Sequence, residues 1–96
     1  MILKGDTVRF ECEFRWFDGN PIEFEADKVT FKIFDKDRIE LENFTLSIAN
    51  RLDSNHYYYD FTIPDAYDGL YYYEFKGFYR NNPFIARDDF SVSFDD

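Results

Sequence analysis

The chain is predicted to be all-β: a two-sheet antiparallel sandwich of about seven strands with no disulfide. Three observations carry that expectation. Apolar residues recur with a period of two through nearly every segment, the mark of strands with one buried and one wet face. No segment sustains the 3.6-residue period of an amphipathic helix. Turn-forming clusters of Asp, Gly, Asn and Pro punctuate the chain at the spacing of short strands. A length of 96 residues suits one domain over residues 1–96.

The elements follow in order. A short strand at "ILK" precedes "TVRFECEFRWF", in which Val8, Phe10, Cys12, Phe14 and Trp16 share one side and Arg9, Glu11, Glu13 and Arg15 the other. "DGNP", Asp18 to Pro21, is turn chemistry. "KVTFKIFD" repeats the alternation with Val29, Phe31 and Ile33 inward, and "DKDR", Asp35 to Arg38, reads as a tight turn. "IELENFTLSIAN" is less regular; Ile39 and Leu41, then Leu46 and Ile48, suggest a bent or bulged strand. "HYYYDFTI" puts Tyr57, Tyr59, Phe61 and Ile63 on one face and Tyr58, Asp60 and Thr62 on the other. Pro64 ends that strand because it cannot donate to a ladder. A short turn near Ala66–Tyr67 leads into "LYYYEFKGF", with Tyr71, Tyr73 and Phe75 in phase. "RNNP", Arg80 to Pro83, turns the chain into a last strand carrying Phe90, Val92 and Phe94 in phase.

Composition narrows function. A chain this short buries only about 60–65% of its unfolded surface, so its core must be efficient. The 13 Phe, 8 Tyr and 1 Trp meet that need and exceed it. The surplus rings point to the surface, where apolar patches mark contact sites. A formal charge of -9 argues against nucleic acid, whose affinity depends on neutralising phosphates with Lys and Arg, and against an anionic membrane. It suits a basic or neutral protein partner, and it keeps an aromatic-rich chain soluble. Cys12 is the only cysteine and shares the apolar phase, so a small buried thiol is expected. "MILKGD" holds no apolar run of signal-peptide length, and no span approaches the roughly 20 apolar residues of a membrane helix. The protein is therefore expected to be made and folded in a cytoplasm without membrane insertion. "NFT" at Asn43 to Thr45 matches a glycosylation sequon, discounted for want of a secretory signal.

Two resemblances add to this reading. "YDGLYYYEF" resembles the start of the sixth strand of immunoglobulin-like domains, where a glycine and then a tyrosine stand at the corner between sheets. Gly69 and Tyr71 fill those places. Tyr73 stands where an antibody domain has its second cysteine, and Tyr67 where an acidic residue is usual, with Asp68 one place late. The resemblance implies an immunoglobulin-like or fibronectin III-like sandwich, outside the disulfide-bonded branch, and a Tyr71 hydroxyl bonded back to backbone. From Val8 to Val92 the chain is also similar to small immunoglobulin-like proteins of tailed bacteriophages, through Gly19, Pro21, Val29, Phe31, Gly69, Tyr71, Phe90 and Val92. That similarity implies an accessory virion component.

The chemistry-bearing residues point the same way. His56 is the only histidine, with no serine on an elbow-like turn to pair with it, so a structural role is favoured and no enzyme is expected. The acid pairs Asp35 and Asp37, Asp65 and Asp68, and Asp88 and Asp89 would need a cleft to act as glycosidase carboxyls. "DKD" and "DAYD" lack the EF-hand spacing, so neither a metal nor any other cofactor is expected. Tyr72, Phe34 and Tyr58 fall in the non-core phase and are the candidate binding residues. In the immunoglobulin order the strands from Val29, Leu70 and Phe84 share a sheet, which puts Phe34 and Tyr72 on its outer face among Lys32, Glu74 and Lys76, and Tyr58 on the other sheet. The expected function is a non-catalytic structural or adhesive interaction module. Its partner would be a capsid or tail protein, or a second copy of the chain. A carbohydrate-binding module, calcium-assisted or not, is the alternative.

Overall fold

The structure, a computed structural model, describes residues 2–16, 18–20, 27–53 and 55–93. Eight strands lie in this part of the chain: β1 (Ile2–Leu3), β2 (Thr7–Glu13), β3 (Asp27–Phe34), β4 (Glu40–Thr45), β5 (Arg51–Asp53), β6 (His56–Thr62), β7 (Gly69–Tyr79) and β8 (Asn82–Ser93). They form a five-stranded sheet in the order β1-β8-β7-β3-β4 and a three-stranded sheet in the order β2-β6-β5. Strands β3, β7 and β8 share a sheet, and Tyr58 lies on β6 of the other. Neighbours pair antiparallel except β1, which runs parallel to β8 through Ile2↔Val92 and Leu3↔Ser93.

Strict alternation builds the core. Phe10, Cys12 and Phe14 meet Val29, Phe31 and Ile33, with Tyr57, Phe61, Tyr71, Phe75, Phe90 and Val92 completing the layer between the sheets. Phe31 has no solvent exposure and touches rings from both sheets: Phe75 at 4.9 Å, Tyr59 at 5.2 Å and Phe10 at 5.4 Å. Each such ring contributes about 1.5–3 kcal/mol by leaving water, and the tilted contacts add to that.

The hairpin of β7 and β8 turns on Arg80 and Asn81, whose φ values of 51° and 64° match a two-residue turn of the kind whose twist suits flanking strands. Its register runs from Tyr79↔Asn82 to Gly69↔Val92. Gly69 enters β7 at φ 89°, a conformation that a side chain would strain. Just beyond it the Tyr71 hydroxyl accepts the Asp68 N–H at 2.8 Å, the backward bond expected at this corner. Tyr67, which the alternation does not reach, is also buried and stacks on Tyr71 at 4.4 Å.

Three expectations are corrected. The segment from Ile39 to Asn50 is not one bent strand: β4 ends at Thr45, a 3-10 turn follows, and the separate strand β5 just beyond it, in the other sheet, raises the count to eight. Ser47 stops the ladder by capping a 3-10 turn over Ile48–Asn50, with Ala49 N–H on its hydroxyl and the Asn50 side chain returning to its amide. The chain then crosses to the three-stranded sheet. Ile39, Leu41 and Ile48 consequently lie exposed, and Glu42, Phe44 and Leu46 take the inner phase instead. The cause is a bulge: Ile33 pairs Glu42 while Phe34 pairs Glu40, leaving Leu41 as the extra residue. Trp16 is 40% exposed rather than inward. Strand β2 ends at Glu13, and Trp16 belongs to a turn closed by its N–H on Asn20 O (2.7 Å) and by Gly19 N–H on its own carbonyl (2.9 Å). Its ring meets Phe84 edge-on at 5.0 Å. Pro21 and Phe94, both assigned from the sequence, lie outside the described residues.

Candidate functional site

Pairing across three strands assembles the outer face of the five-stranded sheet. Phe34 of β3 stands opposite Tyr72 of β7, and Tyr72 opposite Asp89 of β8. One step along, Lys32, Glu74 and Arg87 form the next row. The two expected rings, Phe34 and Tyr72, are thus direct cross-strand neighbours, each half-buried. They line a concavity of about 500 Å3. Its other walls are Arg38, the Glu74–Arg87 pair, and Asp88 with Asp89.

Local structure positions each wall. Arg38 leaves the tight turn after β3, where the Asp35 carboxylate accepts the N–H groups of Asp37 (2.8 Å) and Ile39 (3.0 Å). Arg38 takes φ 66° there, and its guanidinium lies over the Tyr72 ring at 5.9 Å. Glu74 is only 5% exposed, although it points away from the core. Arg87 Nε donates to it at 2.7 Å, which satisfies the buried carboxylate. Lys32 is held by Glu40 at 3.2 Å. Among the described residues no cation lies within ion-pair distance of Asp88 or Asp89. Their charge is felt nearby: burial raises the Tyr73 hydroxyl above its ordinary range first, and the Asp88 charge, then Asp89, push it the same way.

Asp88 breaks the pattern of its own strand. Phe84, Ala86, Phe90 and Val92 hold the inner phase of β8, and Asp88 pairs Tyr73 in that phase yet is exposed. A carboxylate at an apolar position of a strand is a local conflict of the kind that functional sites carry. Asp88 Oδ1 turns to accept the Asp89 N–H at 2.8 Å.

Tyr58, the third expected residue, stands apart on the outer face of the three-stranded sheet. Its hydroxyl donates to Ala49 O at 3.2 Å, and the Arg9 guanidinium covers its ring at 4.1 Å. Arg9 in turn grips Asp60 at 2.8 and 3.1 Å, which holds the Asp60 carboxyl below its usual range. The Tyr58 ring is therefore already covered by its own chain.

The sequence alone does not single out Arg38 or Arg87, and it offers Asp88 and Asp89 only as an acid pair. The signal for part of this was present. Counting outward from a two-residue turn at Arg80–Asn81 places Glu74 opposite Arg87 and Tyr72 opposite Asp89.

The remaining reactive groups do not converge here. His56 Nε2 lies 3.0 Å from Glu11 Oε1, and its Nδ1 is 3.8 Å from Asp53. Burial pushes the Cys12 thiol up to about 12, so it is not a nucleophile near neutral pH. Among the described residues no group of three or more His, Cys, Asp and Glu side chains is placed to hold a metal, and no helix is long and apolar enough to cross a membrane. No protein-family model, curated protein or solved structure matches the chain.

Proposed function

We propose that this chain is a non-catalytic interaction module of the immunoglobulin-like type, which holds a protein partner against the outer face of its five-stranded sheet. The observation that carries the reading is the concavity floored by Phe34 and Tyr72 and walled by charged groups. Aromatic anchors in a concave, partly desolvated patch are what protein interfaces use at their centres. The immunoglobulin assignment draws support from the sheet order, three strands β2-β6-β5 against β8-β7-β3-β4, and from the Tyr71 bond at the sheet corner. The resemblance of Val8 to Val92 to small phage proteins supports a virion accessory role, and mass spectrometry of purified particles tests it: absence of the chain would remove that role.

Peptide display against the folded protein, counter-selected on Tyr72→Ala, tests the docking reading. Peptides that bind the native chain and lose it with Tyr72→Ala are expected. A selection that yields none would contradict the reading. A glycan is the second reading, favoured by two half-buried rings beside carboxylate and guanidinium groups able to bond hydroxyls. Specific signals on a glycan array, lost with Tyr72→Ala, would establish it in place of the first.

A further inference from the structure

Resting on the docking reading, the geometry points to the chemistry of the partner: we infer that the concavity receives an arginine side chain. Three features converge on a planar cation. The first is the floor. Phe34 and Tyr72 stand side by side, and aromatic faces attract guanidinium groups by cation–π contact within about 6 Å. The second is the wall. Asp89 stands opposite Tyr72 with Asp88 beside it, and no cation among the described residues lies within ion-pair distance of either, while Glu74, the other acid of the site, is already taken by Arg87. A guanidinium is the side-chain group whose flat fork bonds carboxylates while its face rests on a ring. The third is Arg38. The chain lays its own guanidinium over Tyr72 at 5.9 Å, near the outer limit of a cation–π contact. Arg38 is a loose internal stand-in for the guest, exposed and mounted on a turn rather than held in the sheet. A better-placed arginine, anchored by Asp89 with the Asp88 charge close by, displaces it. The chain's charge of -9 acts in the same direction at longer range by steering basic surfaces toward it.

The role of Arg38 makes the proposal sharp. A site for a cation must bind more tightly when the competing Arg38 is removed. A site for an anion, such as a carboxylate sugar or an acidic peptide, must bind more weakly.

The test is an NMR titration of the 96-residue chain with N-acetyl-arginine methylamide. The uncharged isostere N-acetyl-citrulline methylamide and the glutamate analogue serve as comparisons at matched ionic strength. The arginine probe is expected to shift the Phe34 and Tyr72 ring signals and the Asp88 and Asp89 amides, with citrulline and glutamate giving neither. Arg38→Ala should tighten binding by about 2- to 5-fold, the weight of one exposed cation–π contact. Asp89→Asn, and the pair Asp88→Asn with Asp89→Asn, should weaken it by a similar factor or more; both are near-isosteric changes at exposed positions. Tyr72→Phe should retain binding and Tyr72→Leu lose it. No arginine-specific shift at these positions overturns the inference, as does tighter binding of glutamate or weaker binding after Arg38→Ala. Displayed peptides that need Tyr72 but lack arginine would sink the arginine assignment and leave the docking reading standing. Failure of both peptides and probe would remove the two together.

Discussion

Replacing Tyr71 by Phe isolates one hydrogen bond at the sheet corner. The ring stays between Tyr67, stacked at 4.4 Å, and Phe90 at 5.7 Å, and only the hydroxyl that accepts the Asp68 N–H at 2.8 Å is lost. A neutral hydrogen bond contributes about 1 kcal/mol net. Orphaning a buried amide would cost more, but Asp68 is exposed and water can take over its N–H. The expected loss is therefore about 1 kcal/mol. At an unfolding entropy of ~2.1 cal/mol/K per residue, a chain of 96 residues should melt roughly 5 °C lower. Tyr71→Ala removes the ring as well and should cost about 3–5 kcal/mol, a large part of the stability of so small a domain. Urea denaturation followed by circular dichroism reads both values, with the slope m unchanged for Tyr71→Phe. An unchanged midpoint for Tyr71→Phe, or equal losses for Phe and Ala, would refute the corner assignment.

Three more outcomes are expected. Arg87→Met strands the buried Glu74 carboxylate; because the Arg87 side chain is 65% exposed, the loss should be discounted from the deep-burial range to about 1–2 kcal/mol, and adding Glu74→Met should restore part of it in a double-mutant cycle by urea melts. Cys12 should resist thiol reagents in the native state at pH 8 and react after unfolding. Because its folded value of about 12 lies above the ordinary 9.0, its contribution is intact below pH 9 and lost as pH rises toward 12, and Cys12→Ala should lessen that alkaline loss in pH-dependent melts. Asp88→Val should raise stability by about 1 kcal/mol, since it restores a strand-favouring apolar residue beside Tyr73, while weakening arginine binding; a destabilised Asp88→Val would show that the carboxylate serves the fold rather than the site.

Much of this architecture is legible from alternation. Strands β2, β3, β6 and β7 keep a strict period of two, so Phe10, Phe31, Phe61 and Phe75 are readable as core, and Phe34, Tyr58 and Tyr72 as outward. Of the companions expected around Phe34 and Tyr72, Glu74 lines the concavity, while Lys32 and Lys76 do not. Alternation fails where the backbone breaks its own period. The bulge at Ile33/Phe34 shifts the phase of β4 and exposes Leu41 while drawing Phe44 inward. The cap at Ser47 ends a strand that apolar content alone would continue, though its Ser-to-Asn spacing is a readable signal. Tyr67 lies in a loop, where period carries no information, and is buried by stacking on Tyr71. Trp16 sits beyond the last ladder bond, so its phase no longer determines its side. The acidic wall needs the hairpin register, which joins residues separated in sequence, and that is why Asp88 and Asp89 read only as an acid pair without a cleft until β8 is placed beside β7.

The central claim is that the rings of β3 and β7 and the acids of β8 form one cation-receiving site. The direct measurement is the ratio of arginine-probe affinities for Arg38→Ala and the native chain, followed at the Tyr72 ring signals. A ratio above one, about 2 to 5, is expected, abolished when Asp88 and Asp89 are both neutralised to Asn. A ratio below one, or binding indifferent to the two carboxylates, would contradict it.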